Sequence, residues 1–127
     1  MKESKRKILI VEDSVSFRHL LKEALISRFP RMEVQEAADG GEALKRVDTF
    51  SPDLVIVDIQ LPGENGLDLT KRIKAEYPNL KVIVLTMHDT PEYREAADRS
   101  RADYFISKGS STKEEILALI KSVLSEA

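Results

Sequence analysis

The sequence lacks several features that mark well-known functional classes. It has no cysteine, which excludes disulfides, thiolate chemistry and zinc sites with cysteine ligands. Its 20 lysine and arginine residues are balanced by 22 aspartate and glutamate residues, so there is no basic excess of the kind that indicates nucleic-acid binding. The glycine patterns G-x-G-x-x-G and G-K-[ST] are both missing, which disfavours Rossmann-type and P-loop nucleotide-binding proteins.

Long apolar runs are missing as well. None approaches the roughly 20 residues of a membrane-spanning helix, and the apolar stretch behind the basic start MKESKRK is too short for a signal peptide. We therefore expect a cytoplasmic protein without membrane contact, in which residues 1–6 are a polar lead-in. The chain has 127 residues, enough for one domain with a core and too few for two, so 1–127 is predicted to be a single domain.

Short apolar runs alternate with segments of helical periodicity along the chain. Residues 8–11 form a continuous apolar run typical of a buried central strand, whereas 32–37 alternates apolar and polar residues like an edge strand. The predicted strands are 8–11, 32–37, 53–58, 81–86 and 104–106. Repeats of strand then helix predict an α/β fold, a three-layer αβα sandwich with a parallel sheet and right-handed crossovers.

The helices are predicted from periodicity and from capping residues. Ser14 is the expected N-cap of the first helix, and a turn at 39–41 precedes a second helix over 42–50. The motif Ser111-x-x-Glu114 has the form of a capping box that opens the last helix. Apolar residues at helical spacing mark one predicted buried face of the first helix: Phe17, Leu20, Leu21, Ala24 and Leu25.

Polar residues follow several predicted strands although the strands themselves do not need them. These residues are Glu12 and Asp13 after the first strand, Asp58 at the end of the third, Thr86 at the end of the fourth, and Ser107 and Lys108 after the fifth. Ligands bind at the carboxyl ends of the strands in an open parallel sheet. If these strands are neighbours, one crevice holds three carboxylates, a hydroxyl and an ammonium group.

Neighbouring carboxylates repel one another and require a cation. Oxygen ligands without cysteine or paired histidine favour a hard ion such as Mg²⁺, which also binds phosphate oxygens. A metal-bound carboxylate with a lysine nearby can act as a nucleophile toward phosphorus and form an aspartyl phosphate. Lys108 would then neutralise charge on the transferring group, and Thr86 would donate a hydrogen bond to one of its oxygens.

Together these motifs resemble the receiver domains of bacterial two-component response regulators. The resemblance covers essentially the whole chain, through ILIVED at the first strand, VIVDIQLPGENG at the third, VIVLT at the fourth and YFISK at the fifth. It implies a flavodoxin-like fold whose five parallel strands have the order 2-1-3-4-5. It also implies that a sensor histidine kinase transfers a phosphoryl group to Asp58.

The resemblance also implies which residues bind the metal ion. Asp13, Asp58 and the backbone carbonyl of Gln60 would contact Mg²⁺ directly, and Glu12 would act mainly through water. Lys108 would bind the phosphoryl group.

A conformational switch is implied in the same way. Thr86 would be the switch hydroxyl, and Phe105, three residues before Lys108, would be the switch aromatic. In the family the hydroxyl moves toward the phosphoryl group and the aromatic ring turns inward, which changes the surface of the fourth and fifth helices and strands. This is a packing element with two states that a local charge biases.

Three positions depart from the usual family pattern. Gly109 follows Lys108 where many members have proline, which makes a cis bond there unexpected and is similar to receivers joined to LuxR-type helix-turn-helix domains. Met87 follows Thr86 in place of a small residue and is expected to crowd the phosphoryl entrance. Arg101 stands where glycine is common, in the turn before the fifth strand.

Two other functions remain as alternatives. One is a Mg²⁺-dependent phosphohydrolase with an aspartate nucleophile, although the haloacid-dehalogenase type has an acid where this chain has Gln60. The other is a receiver-like fold that binds partners without phosphorylation, although such proteins generally lack an acid or the lysine. The expected protein is not an enzyme. We expect it to signal to an output protein or to its own effector domain, and not to contact nucleic acid through this chain. The sequence leaves open whether phosphorylation causes it to form a dimer.

Overall fold

A computed structural model describes residues 6–126, with the side chain of Glu126 left out, so all of the predicted lead-in except Arg6 lies outside the described residues. The strands are β1 (Lys7–Val11), β2 (Glu33–Ala37), β3 (Leu54–Val57), β4 (Gln60–Leu61), β5 (Glu64–Asn65), β6 (Lys81–Thr86) and β7 (Tyr104–Ser107). The helices are α1 (Val15–Arg28), α2 (Gly40–Phe50), α3 (Gly66–Glu76), α4 (Pro91–Arg99) and α5 (Lys113–Glu126).

The main sheet has five parallel strands in the order β2-β1-β3-β6-β7. This confirms the order 2-1-3-4-5 that the resemblance implied, because β4 and β5 form a separate antiparallel pair outside the main sheet. The half-polar strand β2 lies at an edge, as its alternation predicted, while the fully buried β3 lies at the centre. Every neighbouring pair is parallel, so the carboxyl ends of all five strands lie at the same edge.

The sheet is covered on both faces, which is why its central strands read as continuous apolar runs. Helices α1 and α5 pack on one face, where Ile10, Ile56 and Ile83 meet Leu25 and Ile120. On the other face α2 and α3 supply the partners of the alternate strand residues, among them Val47, Leu69 and Ile73. A smaller cluster joins Ala97 of α4 to Val84 of β6 and to Ile59, which follows β3.

The prediction that Leu20 lies on the buried face of α1 is wrong. Leu21 and Leu25 are buried as expected, and Phe17 and Ala24 pack at the margin of the core, but Leu20 is 67% exposed. The periodicity allowed both leucines because neighbouring positions lie about 100° apart on a helix, but only Leu21 belongs to the core cluster that α1 shares with the sheet and α5.

We expect Leu20→Ala and Leu21→Ala to differ sharply although the chemical change is the same. Leu21 is 7% exposed and sits in the main core, so its truncation should lower the free energy of unfolding by about 3 kcal/mol. The same truncation at the exposed Leu20 should cost less than about 0.5 kcal/mol. Urea unfolding of the two variants measures both values, and equal losses would contradict the assignment of the buried face.

Two helix starts also differ from the prediction. The predicted turn at 39–41 belongs to α2, because Asp39 is the N-cap and accepts from the Glu42 N–H at 2.8 Å. In α5 the capping box is formed one residue later than predicted. Thr112 accepts from the Glu115 N–H at 3.1 Å, while Glu115 accepts from the Thr112 N–H at 2.8 Å. Both motifs satisfy amide groups that the first helical turn leaves unpaired.

The turn before β7 forms without the glycine that is common there. Arg101 adopts a left-handed conformation with φ of 74° after the end of α4. Its N–H donates to the Asp98 carbonyl and the Ala102 N–H donates to the Ala97 carbonyl, which is the pattern of a Schellman motif. These bonds offset the steric cost of a side chain in this conformation, about 1 kcal/mol.

A buried ion pair fastens the amino-terminal edge of the sheet. Lys74 in α3 is only 6% exposed, and its Nζ donates to Asp103 Oδ2 at 3.0 Å and to the Leu80 carbonyl at 2.9 Å. Asp103 Oδ2 also accepts from the Val82 N–H at 2.8 Å. The pair thus ties α3 and the start of β6 to the start of β7.

Within the described part of the chain, every helix is too short or too polar to cross a membrane.

Candidate functional site

The carboxyl edge of the sheet brings Glu12 and Asp58 together. Glu12 directly follows β1 and Asp58 directly follows β3, and these strands are neighbours. The Asp58 N–H donates to the Val11 carbonyl at 3.0 Å, which continues the strand pairing up to the site. Glu12 is 4% exposed and Asp58 is 8% exposed. Buried carboxylates are costly unless they are paired, so the site requires a cation.

Lys108 supplies that cation from the loop after β7. Its Nζ lies 2.6 Å from Glu12 Oε1 and 3.1 Å from Asp58 Oδ2, and its side chain is 9% exposed. The Phe17 ring centroid lies 4.1 Å from the same Nζ and shields it from water. The predicted convergence of Glu12, Asp58 and Lys108 is therefore present in the structure.

The electrostatics of Glu12 reflect this crowding. Burial raises the pKa of its carboxyl group and the nearby Asp58 charge adds to the rise, while hydrogen bonds from Lys108 and from the Ser14 N–H oppose it. The Ser14 N–H donates to Glu12 Oε2 at 3.0 Å, so both carboxylate oxygens are engaged. A second cation at this edge would relieve the repulsion between Glu12 and Asp58.

The structure does not gather the three predicted carboxylates of Glu12, Asp13 and Asp58 into one crevice within the described residues. Asp13 is exposed beside Glu12, and the Gln60 N–H donates to Asp58 Oδ1 at 3.4 Å. Within residues 6–126, no three histidine, cysteine, aspartate or glutamate side chains are gathered closely enough to hold a metal ion by themselves. The donors still fit Mg²⁺, because this ion takes one or two carboxylates and completes its shell with water and phosphate oxygens.

Thr86 ends β6 and is fully buried. Its Oγ1 accepts from the His88 N–H at 3.2 Å, and its carbonyl accepts from the Lys108 N–H at 2.8 Å. The hydroxyl thus holds the start of the loop that leads to α4, and the backbone links this strand end to Lys108. Met87 beside it is 65% exposed, and its expected crowding of the entrance stays a prediction.

Phe105 lies half-buried on β7, against the cluster that contains Val84 and Ala97. The Arg94 Cζ lies 4.7 Å from the centre of its ring, and Arg94 Nε lies 2.6 Å from Asp89 Oδ1. The Arg94 hydrogen bond lowers the pKa of Asp89. Sequence reasoning missed both Arg94 and Asp89. The ring of Phe105 has no hydroxyl to hydrogen-bond, and the guanidinium face of Arg94 contacts it instead.

The fold and the chemistry of the carboxyl edge define a structural class. A five-stranded parallel sheet of this order, with buried carboxylates and a lysine at its carboxyl edge, is a flavodoxin-like domain built to bind a charged group. The sequence profile of the response regulator receiver domain matches residues 8–121. The chain belongs to the response regulator receiver domain family, a module of two-component signalling.

Individual proteins agree with the family match. The chain is 35% identical over 114 residues to the oxygen regulatory protein NreC of Staphylococcus haemolyticus, covering 89% of this chain and 52% of that protein. It is 41% identical over 99 residues to protein-glutamate methylesterase/protein-glutamine glutaminase 2 of Paramagnetospirillum magneticum, covering 77% of this chain and 28% of that protein. A LuxR-family two-component response regulator from Aurantimonas sp. SI85-9A1 superimposes with a TM-score of 0.87 at 31% identity, covering 97% and 87% of the chains.

The chain spans about half or less of the length of the curated relatives it matches. Receiver domains generally bind Mg²⁺ at the phosphorylation site, work with histidine kinases and effector domains, and are signalling modules without an enzymatic activity of their own on metabolites. The family match and the LuxR-type structure confirm the resemblance found in the sequence.

Proposed function

We propose that Asp58 is the phosphoacceptor of this receiver domain and that a sensor histidine kinase is the donor. The observation that carries the proposal is the contact of Lys108 Nζ with both Asp58 Oδ2 and Glu12 Oε1. It leaves Asp58 buried at the carboxyl edge with a positive charge already beside the oxygen that would carry the phosphoryl group.

The transfer forms one bond and breaks one. An Asp58 carboxylate oxygen attacks phosphorus, the O–P bond forms, and the P–N bond of the phosphohistidine breaks with its electron pair returning to the imidazole. Lys108 would shift its longer hydrogen bond from Asp58 Oδ2 to a phosphoryl oxygen, because its ammonium group already lies 3.1 Å from that carboxylate oxygen. Mg²⁺, held by Asp13, Asp58 and the Gln60 carbonyl with Glu12 acting through water, would neutralise charge on the transferring group.

The switch is proposed at Thr86 and Phe105. Thr86 Oγ1 is engaged by the His88 N–H, so turning the hydroxyl toward a phosphoryl group releases the loop before α4. Phe105 then moves into the vacated space and away from Arg94. The surface of α4 and β7 changes as a result, and this surface would report the state to an output protein or to an effector domain of the same protein.

The proposed setting follows from the family. We place the protein in the cytoplasm, where it would contact a histidine kinase and act without turning over a metabolite and without touching nucleic acid through this chain. The non-phosphorylated binding module is disfavoured, because Glu12, Asp58 and Lys108 are assembled rather than dispersed. If phosphorylation causes the protein to form a dimer, the changed surface of α4 and β7 would provide the contact between the two copies.

Intact mass measured after incubation with acetyl phosphate tests this function. We expect one phosphoryl adduct in the presence of Mg²⁺ and none when EDTA replaces it, because the small donor supplies the phosphoryl group and the domain supplies the acceptor. A fluoroberyllate titration serves as the control for rapid hydrolysis, since the stable analogue would bind even where the adduct is lost. Absence of both the adduct and analogue binding would contradict the proposal.

A further inference from the structure

Arg18 reaches back from the first turn of α1 to the loop that carries the acidic pair. Its Nη1 donates to the backbone carbonyl of Glu12 at 2.6 Å. Its side chain is 16% exposed, so the contact is well shielded from water. Arg18 touches none of the carboxylate oxygens of Glu12, Asp13 or Asp58 among the contacts described, and its role in the site must act through the backbone.

That carbonyl belongs to the peptide group that joins Glu12 to Asp13. A peptide group is planar, so holding its oxygen also fixes the direction in which the chain enters Asp13. The other side of Glu12 is held as well, because its N–H donates to the Ala37 carbonyl at 3.0 Å. The exposed Asp13 side chain is thereby projected from a backbone that is fixed on both sides of Glu12.

The guanidinium group is itself held in place from β2. Arg18 Nε lies 2.7 Å from Glu36 Oε1, and Lys22 Nζ lies 3.1 Å from Glu36 Oε2. Partial burial works against ionisation of Glu36, but the hydrogen bonds from Arg18 and Lys22 lower its pKa. Glu36 therefore stays charged at neutral pH and anchors one edge of the guanidinium while the other edge holds the Glu12 carbonyl.

We infer that Arg18 is a positioning residue that fixes the Glu12–Asp13 peptide group and so sets the affinity of the acidic pair for Mg²⁺. The inference rests on the proposed function of that pair. Some groups orient metal ligands by hydrogen bonds without touching the metal ion themselves. Removing such a group typically weakens metal affinity about 10- to 100-fold. Lys22 contacts the same Glu36 but not the Glu12 carbonyl, so it provides a matched control on the same helix.

The test compares Arg18→Met, Arg18→Lys and Lys22→Met with the wild type. The first readout is the Mg²⁺ concentration that gives half-maximal adduct formation with acetyl phosphate. The second is the rise in Tm with Mg²⁺ alone, which reports binding by mass action without any phosphoryl donor. We expect Arg18→Met to raise the half-saturating Mg²⁺ concentration about tenfold in both readouts. For Arg18→Lys the half-saturating Mg²⁺ concentration should lie between those of the wild type and Arg18→Met, because one ammonium group cannot reach both Glu36 and the Glu12 carbonyl. Lys22→Met should match the wild type.

A purely structural role for Arg18 would look different. It would lower the Tm without Mg²⁺ but leave the half-saturating Mg²⁺ concentration unchanged, and this result would overturn the inference. An equal shift in Lys22→Met would also overturn it, because the effect would then come from charge near Glu36 rather than from the Glu12 carbonyl. If the wild type forms no adduct, the proposed function fails, and the Tm titration still decides whether Arg18 sets Mg²⁺ affinity. No rise in wild-type Tm with Mg²⁺ would overturn the inference as well.

Discussion

Asp58→Asn will abolish the Mg²⁺-dependent phosphoryl adduct and leave the domain folded. The amide is nearly isosteric with the carboxylate, and its oxygen can still accept from Lys108 Nζ, which retains the Glu12 charge as a partner. What the amide lacks is the negative charge and the nucleophilic oxygen that attack phosphorus. Intact mass after acetyl phosphate treatment and the Tm of the variant measure the two halves of this expectation.

Asp53→Asn is the matched control for that result. Asp53 precedes β3 at the end opposite Asp58, where its Oδ2 accepts from the Lys7 N–H at 2.8 Å. The same substitution there removes an acid far from the carboxyl edge, so the adduct should persist. An adduct that survives in Asp58→Asn would transfer the acceptor role to another residue. Loss of folding in that variant would make Asp58 a structural acid.

Asp103→Ala will destabilise the domain strongly although Asp103 lies far from the carboxyl edge. The change leaves the buried ammonium group of Lys74 with only the Leu80 carbonyl as its described partner and leaves the Val82 N–H without its acceptor. Removing one member of a buried pair exposes the cost of the charge that remains, and we expect a loss of about 3 kcal/mol in the free energy of unfolding. Urea unfolding with an unchanged m-value would measure it.

Glu114→Ala is the control for an ion pair at the surface. Arg28 and Glu114 are paired at 2.6 Å, but their side chains are 44% and 69% exposed, so water replaces the lost contact. The free energy of unfolding should therefore stay close to that of the wild type. Equal losses in Asp103→Ala and Glu114→Ala would show that burial does not set the cost. A Lys74→Met/Asp103→Ala double variant should recover part of the loss, because it removes the stranded charge.

The sequence by itself determined the layered fold and the chemistry of the edge. Continuous apolar runs require cover on both faces, so the sequence alone could place β1, β3 and β6 in a parallel sheet. Parallel strands end at the same edge of a sheet. Glu12 and Asp58 were therefore expected to lie close together on the condition that β1 and β3 are neighbouring strands. The layered fold follows from local periodicity, whereas the order of the strands in the sheet was implied by the resemblance to receiver domains.

Only the tertiary structure decided which groups touch. Lys108 meets Glu12 across 96 positions of sequence, and no local pattern fixes whether its Nζ bonds one carboxylate or both. The burial of Leu21 and the exposure of its neighbour Leu20 follow from how α1 packs against the core. The contact of Arg18 with the Glu12 carbonyl depends on side-chain reach across a loop. Long-range contacts of this kind arise when elements distant in sequence pack together, and helical or strand periodicity carries no record of them.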